Sequence, residues 1–244
     1  MTGRRTWPRS LLALLWRLLA GWILAVVVLV STGWILAAVS PDVPLLRSED
    51  AVDRALVRAR TPTLDDVTSV FTHLANTGAI VLTAIAAALV LRRLLRRWRE
   101  SLFVALATWG QSTVFLLTTL LVERPRPNVS HLDRAPPTSS FPSGHTGAAI
   151  ALYAALAVVV VHRTRRRWVK AVSVSVLLAV PVLVALSRLY RGMHHPTDVL
   201  GSVLCAGLVL LVTHLVLSRR PLPDDDVGSG ACALRPERPP EHAT

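Results

Sequence analysis

The chain has 244 residues, 52% of them hydrophobic, and a mean hydropathy of +0.49. Its net charge is +12, carried almost wholly by arginine, since Lys170 is the only lysine. So apolar a composition excludes an ordinary soluble domain and makes a polytopic, all-α integral membrane protein the expected class. The arginines cluster beside apolar runs, which excludes a nucleic-acid-binding face.

A bilayer core about 30 Å thick takes roughly 20 apolar residues of helix. Six runs meet that need: Leu11–Val39, Thr77–Leu91, Leu102–Val122, Thr146–Val161, Val169–Leu186 and Val199–Leu217. The first follows Arg4, Arg5 and Arg9 but is too long for a signal h-region and lacks a small-residue cleavage site. It reads as a retained span in an N-terminal segment 1–40. Residues 41–76 read as an outer loop, 77–217 as a helical catalytic core and 218–244 as a polar tail, disordered by composition. Of the two cysteines, Cys205 lies in the last run and Cys232 in the tail. They support neither a disulfide framework nor a metal site, and read as a small apolar residue and a tail thiol.

Basic residues mark alternate connections: Arg4 to Arg17, Arg92 to Arg99, Arg163 to Lys170, and Arg219 with Arg220. This is the positive-inside pattern with cytoplasmic termini. Ser40–Asn76, Glu123–His145 and Ser187–Asp198 then share the extracytoplasmic side. Within the runs, Gln111 and His214 are lone polar residues. The scarcity of ionisable groups there argues against an ion-coupled transporter. Pro181 predicts a kink in the fifth run.

Two stretches on that outer side carry chemistry. In Pro142-Ser143-Gly144-His145, Ser143 is a natural N-cap for the apolar helix that follows. Free N–H groups at such a start attract a phosphate oxygen, and Gly144 lets a ligand approach the backbone. A plain capped helix with an interfacial histidine fits these residues equally well. In Ser187 to Asp198, a helix beginning near Pro196 brings Asp198 close to His194. A carboxylate accepting Nδ1–H leaves Nε2 free as a nucleophile. His145 then protonates the leaving oxygen and later activates water. His195 has helical spacing to Asp198 too, so the residues alone leave it as an alternative.

Arg126 and Arg188 suit bidentate phosphate binding. Anchoring to lipid head groups suits Arg134, and Arg191 and Arg124 stay open. His131 with Asp133, and Asp65, Asp66 and His73, read as solvated surface residues rather than metal ligands.

With these residues in place, the chain resembles the type 2 phosphatidic acid phosphatase (PAP2) superfamily. Arg126-Pro127 resembles the end of its first motif, Pro142 to His145 its second, and Ser187-Arg188 through His194 to Asp198 its third. The likeness spans roughly Thr77 to Leu217. It implies a six-helix bundle and a phosphatase for lipid phosphates or diphosphates that needs neither metal nor other cofactor. Undecaprenyl diphosphate, phosphatidic acid and phosphatidylglycerophosphate are the substrates it brings into view. By resemblance His194 is the nucleophile, Asp198 orients it, His145 is the general acid, and Arg126, Ser143, Gly144 and Arg188 bind phosphate.

In one respect the chain departs from the family: Thr119 stands where the first motif has a lysine. Arg124 or Arg191 is expected to supply the missing charge, or Thr119 a hydrogen bond alone. A phosphotransferase using the same site, and a non-enzymatic homologue that binds or flips lipid, are the competing functional classes. The apolar runs set aside the soluble haloperoxidases. Lipid bilayer and lipid phosphate are the only partners implied, and the residues are silent on oligomeric state.

Overall fold

The computed structural model describes residues 7–39 and 43–218. Arg4, Arg5, Arg219, Arg220, Cys232 and the rest of the polar tail lie outside the described residues. Eight helices make up the described chain: α1 (Trp7–Val39), α2 (Pro44–Arg58), α3 (Pro62–Leu74), α4 (Thr77–Leu95), α5 (Trp98–Leu121), α6 (Gly144–Arg163), α7 (Arg167–Tyr190) and α8 (Pro196–Ser218). Six of them, α1 and α4 to α8, are long and apolar enough to cross a membrane. They coincide with the six expected runs, extended at their ends where arginine and tryptophan continue the helix.

Residues 41–76, read as a loop, differ from expectation. They hold α2 and α3, each opened by a proline at the start of its first turn. Thr61 caps α3 by accepting the N–H of Leu64 at 3.3 Å. Proline pre-sets the helical φ and has no N–H to leave unpaired, so it starts a helix as well as it ends one. Pro181 lies buried inside α7, which runs unbroken past it.

The bundle centres on α6, which packs against α5, α7 and α8, while α1 lies over α5 and α8. Small side chains permit the close approach. Ala149, Ala151 and Ala155 of α6 and Ala206 of α8 are fully buried, as is Cys205. In lipid there is little hydrophobic gain from helix contact, so such close packing carries the association. Leu82, Leu94, Leu116 and Leu120 point outward and are more than half exposed, as a lipid-facing surface requires. Gln111 is buried inside this apolar frame, and its amide lies where a Cβ on Gly147 would collide with it.

The two ends of the bundle differ. At one end Trp98 and Trp168 are exposed beside the arginine-rich connections, with the Arg92 guanidinium 4.8 Å above the Trp98 ring. That is the amphipathic belt expected at a membrane interface. His214 also lies toward this end, edge-on to Phe103 at 5.9 Å. The other end collects both motif stretches.

Candidate active site

Four chain segments meet at that second end. The loop 122–143 leaves α5, α6 begins at Gly144, α7 ends at Tyr190, and α8 begins at Pro196. The motifs are stitched together by backbone bonds. Ser143 N–H donates to the Asp198 carbonyl at 3.2 Å, and Leu132 N–H donates to the Arg191 carbonyl at 3.2 Å. Ser202 Oγ adds a bond of 2.7 Å to the Ser143 carbonyl. Between α7 and α8 the chain reverses at Gly192, whose φ of +74° lies in the left-handed region open to glycine. A Cβ there would also press on Val129 and the Ser130 carbonyl.

A cavity of about 1010 Å³ opens beneath this junction. Its upper wall holds Arg126, Asp133, Arg134, Gly144, His145, Arg188 and His194. Its lower wall is mostly apolar and runs down α4 and α5, past Ile80, Ala84 and Ala88 on one side and Phe115 on the other, with the hydroxyls of Ser112 and Thr108 among them. Gly144 is needed for this shape, because a Cβ would lie 2.7 Å from the Phe115 ring.

His194 is buried, and its Nδ1 lies 2.8 Å from the Ser140 carbonyl oxygen. A carbonyl only accepts, so Nδ1 carries the proton and Nε2 keeps its lone pair. Asp198, expected to hold that proton, stands 3.7 Å from Nδ1. This is close enough to act by charge but too long for a hydrogen bond. Its Oδ2 instead accepts the backbone N–H of His195 at 2.8 Å. Burial pushes the His194 imidazole below its ordinary pKa, against the pull of the Asp198 carboxylate. The ring is therefore neutral at pH 7, the state a nucleophile requires.

The neighbouring ring faces the other way. His195 Nδ1 pairs with Asp53 Oδ2 on α2 at 2.9 Å. Burial opposes charge there too, but the Asp53 bond and the Asp198 charge outweigh it and raise the His195 pKa. His195 is absent from the cavity wall, whereas His194 lines it.

Both clamp candidates line the cavity. Arg188 NH1 reaches Asp133 Oδ2 at 2.6 Å, and Arg126 NH1 donates to the Met193 carbonyl at 2.8 Å. In each, the buried Nε donor has no hydrogen-bond acceptor among the described residues. Burial lowers the Arg126 pKa, partly offset by Asp198. An arginine still stays protonated, so two cations line the same cavity as the two histidines.

Three residues proposed to cover for the missing lysine sit elsewhere. Thr119 is buried, 3.5 Å from the Ser139 carbonyl. Arg124 is buried behind Asp198, and Arg191 grips Asp133 through Nε and NH2 at 2.6 to 3.0 Å. None of the three lines the cavity. Arg134, set aside in the sequence as a head-group anchor, does. Ser143 holds the N-cap position of α6, but its buried hydroxyl pairs with Thr146 Oγ1 at 3.0 Å.

Asp133, read from the sequence as a solvated surface residue, is instead engaged by two buried arginines. It bridges Arg188 and Arg191, and their bonds and charges hold its carboxyl below the usual range despite its desolvation. Sequence reasoning missed the Ser140 carbonyl, a backbone group with no side-chain signal. Of the suspected metal pairs, His131 Nε2 lies on the Pro127 carbonyl at 3.0 Å, and Asp65 accepts from Tyr190 Oη at 2.9 Å. Among the described residues, only Asp50, Asp53 and His195 bring three ligand atoms within 4.8 Å of one another. The Asp53–His195 pair already satisfies two of them.

The PAP2 superfamily model matches residues 101–221. Phosphatidylglycerophosphatase B of Bacillus subtilis (strain 168) is 30% identical over 157 residues, which cover 63% of this chain and 75% of that protein. The crystal structure of a transmembrane PAP2-type phosphatidylglycerolphosphate phosphatase from Bacillus subtilis aligns with a TM-score of 0.66 at 26% identity. That alignment covers 86% of this chain and 98% of the other. LpxE of Aquifex aeolicus shares the fold, at a TM-score of 0.53 and 22% identity over 69% of this chain and 93% of its own. The all-helical bundle, the membrane-length helices and these matches together place the chain in the PAP2 superfamily, as a multi-pass membrane phosphatase of the phosphoric ester hydrolase class.

Proposed function

We propose that the protein removes a phosphate from a membrane lipid phosphate or diphosphate through a phosphohistidine on His194, at the extracytoplasmic face. One observation carries this reading. The cavity lined by His145 and His194 is also lined by Arg126 and Arg188, each of which keeps a buried Nε with no acceptor among the described residues. A phosphoryl group between them meets charge-assisted donors, which are aimed where negative charge grows in transfer.

In the first step the His194 Nε2 lone pair forms the N–P bond as the ester P–O bond breaks. The leaving oxygen takes its proton from His145, and the His194 ring keeps Nδ1–H on the Ser140 carbonyl. In the second step His145 takes a proton from water. The water oxygen bonds to phosphorus, and the N–P pair returns to Nε2. Phosphate monoesters are among the slowest esters to cleave unaided, so dividing the reaction in two is worth its complexity. The charge compensation that a divalent ion would supply is assigned here to Arg126 and Arg188.

The mostly apolar lower wall suits lipid chains entering between α4 and α5 with the head group uppermost. The arginine-rich connections at 92–99 and 163–170 belong to the opposite end of the bundle, and positive charge marks the cytoplasmic side. Phosphatidylglycerophosphate is the first substrate to test, given the Bacillus subtilis relative. Protein purified in detergent is expected to release phosphate from it with EDTA present. No release from phosphatidylglycerophosphate, phosphatidic acid or undecaprenyl diphosphate, or an absolute need for added divalent metal, would overturn the proposal.

A further inference from the structure

Behind the proposed nucleophile lies a chain of buried charges contributed by a helix outside the matched family region. Glu49 and Asp53 stand one turn apart on α2, so both face the start of α8. Glu49 Oε2 accepts from Arg124 NH2 at 2.8 Å, and Glu49 Oε1 accepts the Thr197 N–H at 2.8 Å. Arg124 NH1 bonds Thr197 Oγ1 at 2.7 Å and also the Asp198 carboxylate. The Arg124 carbonyl in turn accepts Ser140 N–H at 2.9 Å, fixing the very residue whose own carbonyl holds His194 Nδ1. Glu49, Asp53, Arg124 and Asp198 are each at most 6% exposed.

Asp53 is set against His195, and along the rest of this chain the signs alternate: Glu49 negative, Arg124 positive, Asp198 negative. One buried negative charge is left over, and Asp198 places it 3.7 Å from His194 Nδ1. The His194 ring is neutral before transfer and gains positive charge as its Nε2 lone pair enters the N–P bond. A fixed negative charge in a dry site favours that change and needs no reorganisation.

We infer that Glu49 is a positioning residue for the reaction: through Arg124 it holds Asp198 and Ser140, and its charge is what leaves the Asp198 side of the turn net negative. Arg124 accordingly belongs to the support of the nucleophile and not to the phosphate clamp. The inference rests on the proposed use of His194.

The test compares wild type with Glu49→Gln and Glu49→Asp, purified in detergent, for phosphate release from phosphatidylglycerophosphate. Glutamine keeps the acceptor for Thr197 N–H and removes the charge. Glu49→Gln is expected to lower kcat roughly tenfold to a hundredfold with KM changed less than about threefold, and to slow phosphoenzyme formation in rapid quench by the same factor. Glu49→Asp should restore part of the rate. An unchanged kcat for Glu49→Gln would overturn the inference. So would a loss that matches the fraction of unfolded protein by thermal melting, which marks a purely structural role. If wild type itself releases nothing, the phosphatase reading fails instead, so the two failures are separable.

Discussion

The cavity face and the rear face of one short turn make the most instructive contrast in the molecule. His194 looks into the cavity beside Arg126 and Arg188, whose guanidinium groups have donors to spare. His195, the next residue, looks backward into Asp53, beside an Arg124 already divided between Glu49 and Asp198. The same residue types occur on both faces. What separates the two faces is the arginine donors: Arg126 and Arg188 each keep a buried Nε with no acceptor among the described residues, whereas Arg124 is divided between two carboxylates. A buried cation whose bonds are all met stabilises a geometry, whereas one with an unmet donor is prepared for an anion.

Substitutions on the two faces should therefore diverge. The largest expected effect is His194→Ala, which should cut turnover about 10⁴-fold or more and abolish the acid-labile phosphoenzyme. Normal turnover in that variant would end the contrast by moving the nucleophile elsewhere. Arg126→Ala and Arg188→Ala should each cost about 10²- to 10³-fold in kcat/KM, and vanadate inhibition should weaken in both. Arg188→Ala also frees Asp133, so melting should be checked alongside it. For His145→Ala the loss should be about 10²- to 10⁴-fold with an ordinary lipid ester. It should shrink with a substrate whose leaving group needs no proton, and burst measurements should still detect phosphoenzyme.

For the His195–Asp53 pair on the rear face the readout should be stability. His195→Ala leaves Asp53 buried and alone, which should destabilise by about 3 kcal/mol and lower the melting temperature in detergent, with kcat per folded molecule falling far less.

Opposite pKa shifts on the two rings give a finer test. His195 has its folded pKa raised, so its contribution to stability is complete below its unfolded value near 6.5 and is lost as pH rises through the folded pKa. His194 has its folded pKa lowered, so protonation from about pH 6.5 downward favours the unfolded chain. Melting temperature measured against pH should lose part of its alkaline decline in His195→Asn. The acid-side decline should persist in that variant, and its disappearance would assign the two slopes wrongly.

Much of the architecture was legible because long apolar segments have one stable solution in a bilayer. Hydropathy alone located six helices, since an unpaired backbone is prohibitive in lipid. Pro196 as a helix start and Ser143 as an N-cap position followed from local rules that depend on a few adjacent residues. The outer segment was less legible. Its apolar residues are spread over one face of α2 and α3 rather than gathered in a run, and Glu49 and Asp53 at a spacing of four were the available clue.

From its order of residues the chain determined which segments enter the membrane, which end of the bundle gathers the motifs, and which residue types are on hand for phosphoryl transfer. Those properties follow from solvation and chain-local geometry. Tertiary structure alone decided which histidine faces the cavity, that the Ser140 carbonyl rather than Asp198 holds the Nδ1 proton, and that Arg124 and Arg191 are spent on carboxylates while Arg126 and Arg188 keep free donors. Each of those outcomes depends on groups far apart in the chain meeting within about 3 Å, where the contest between burial and pairing is settled.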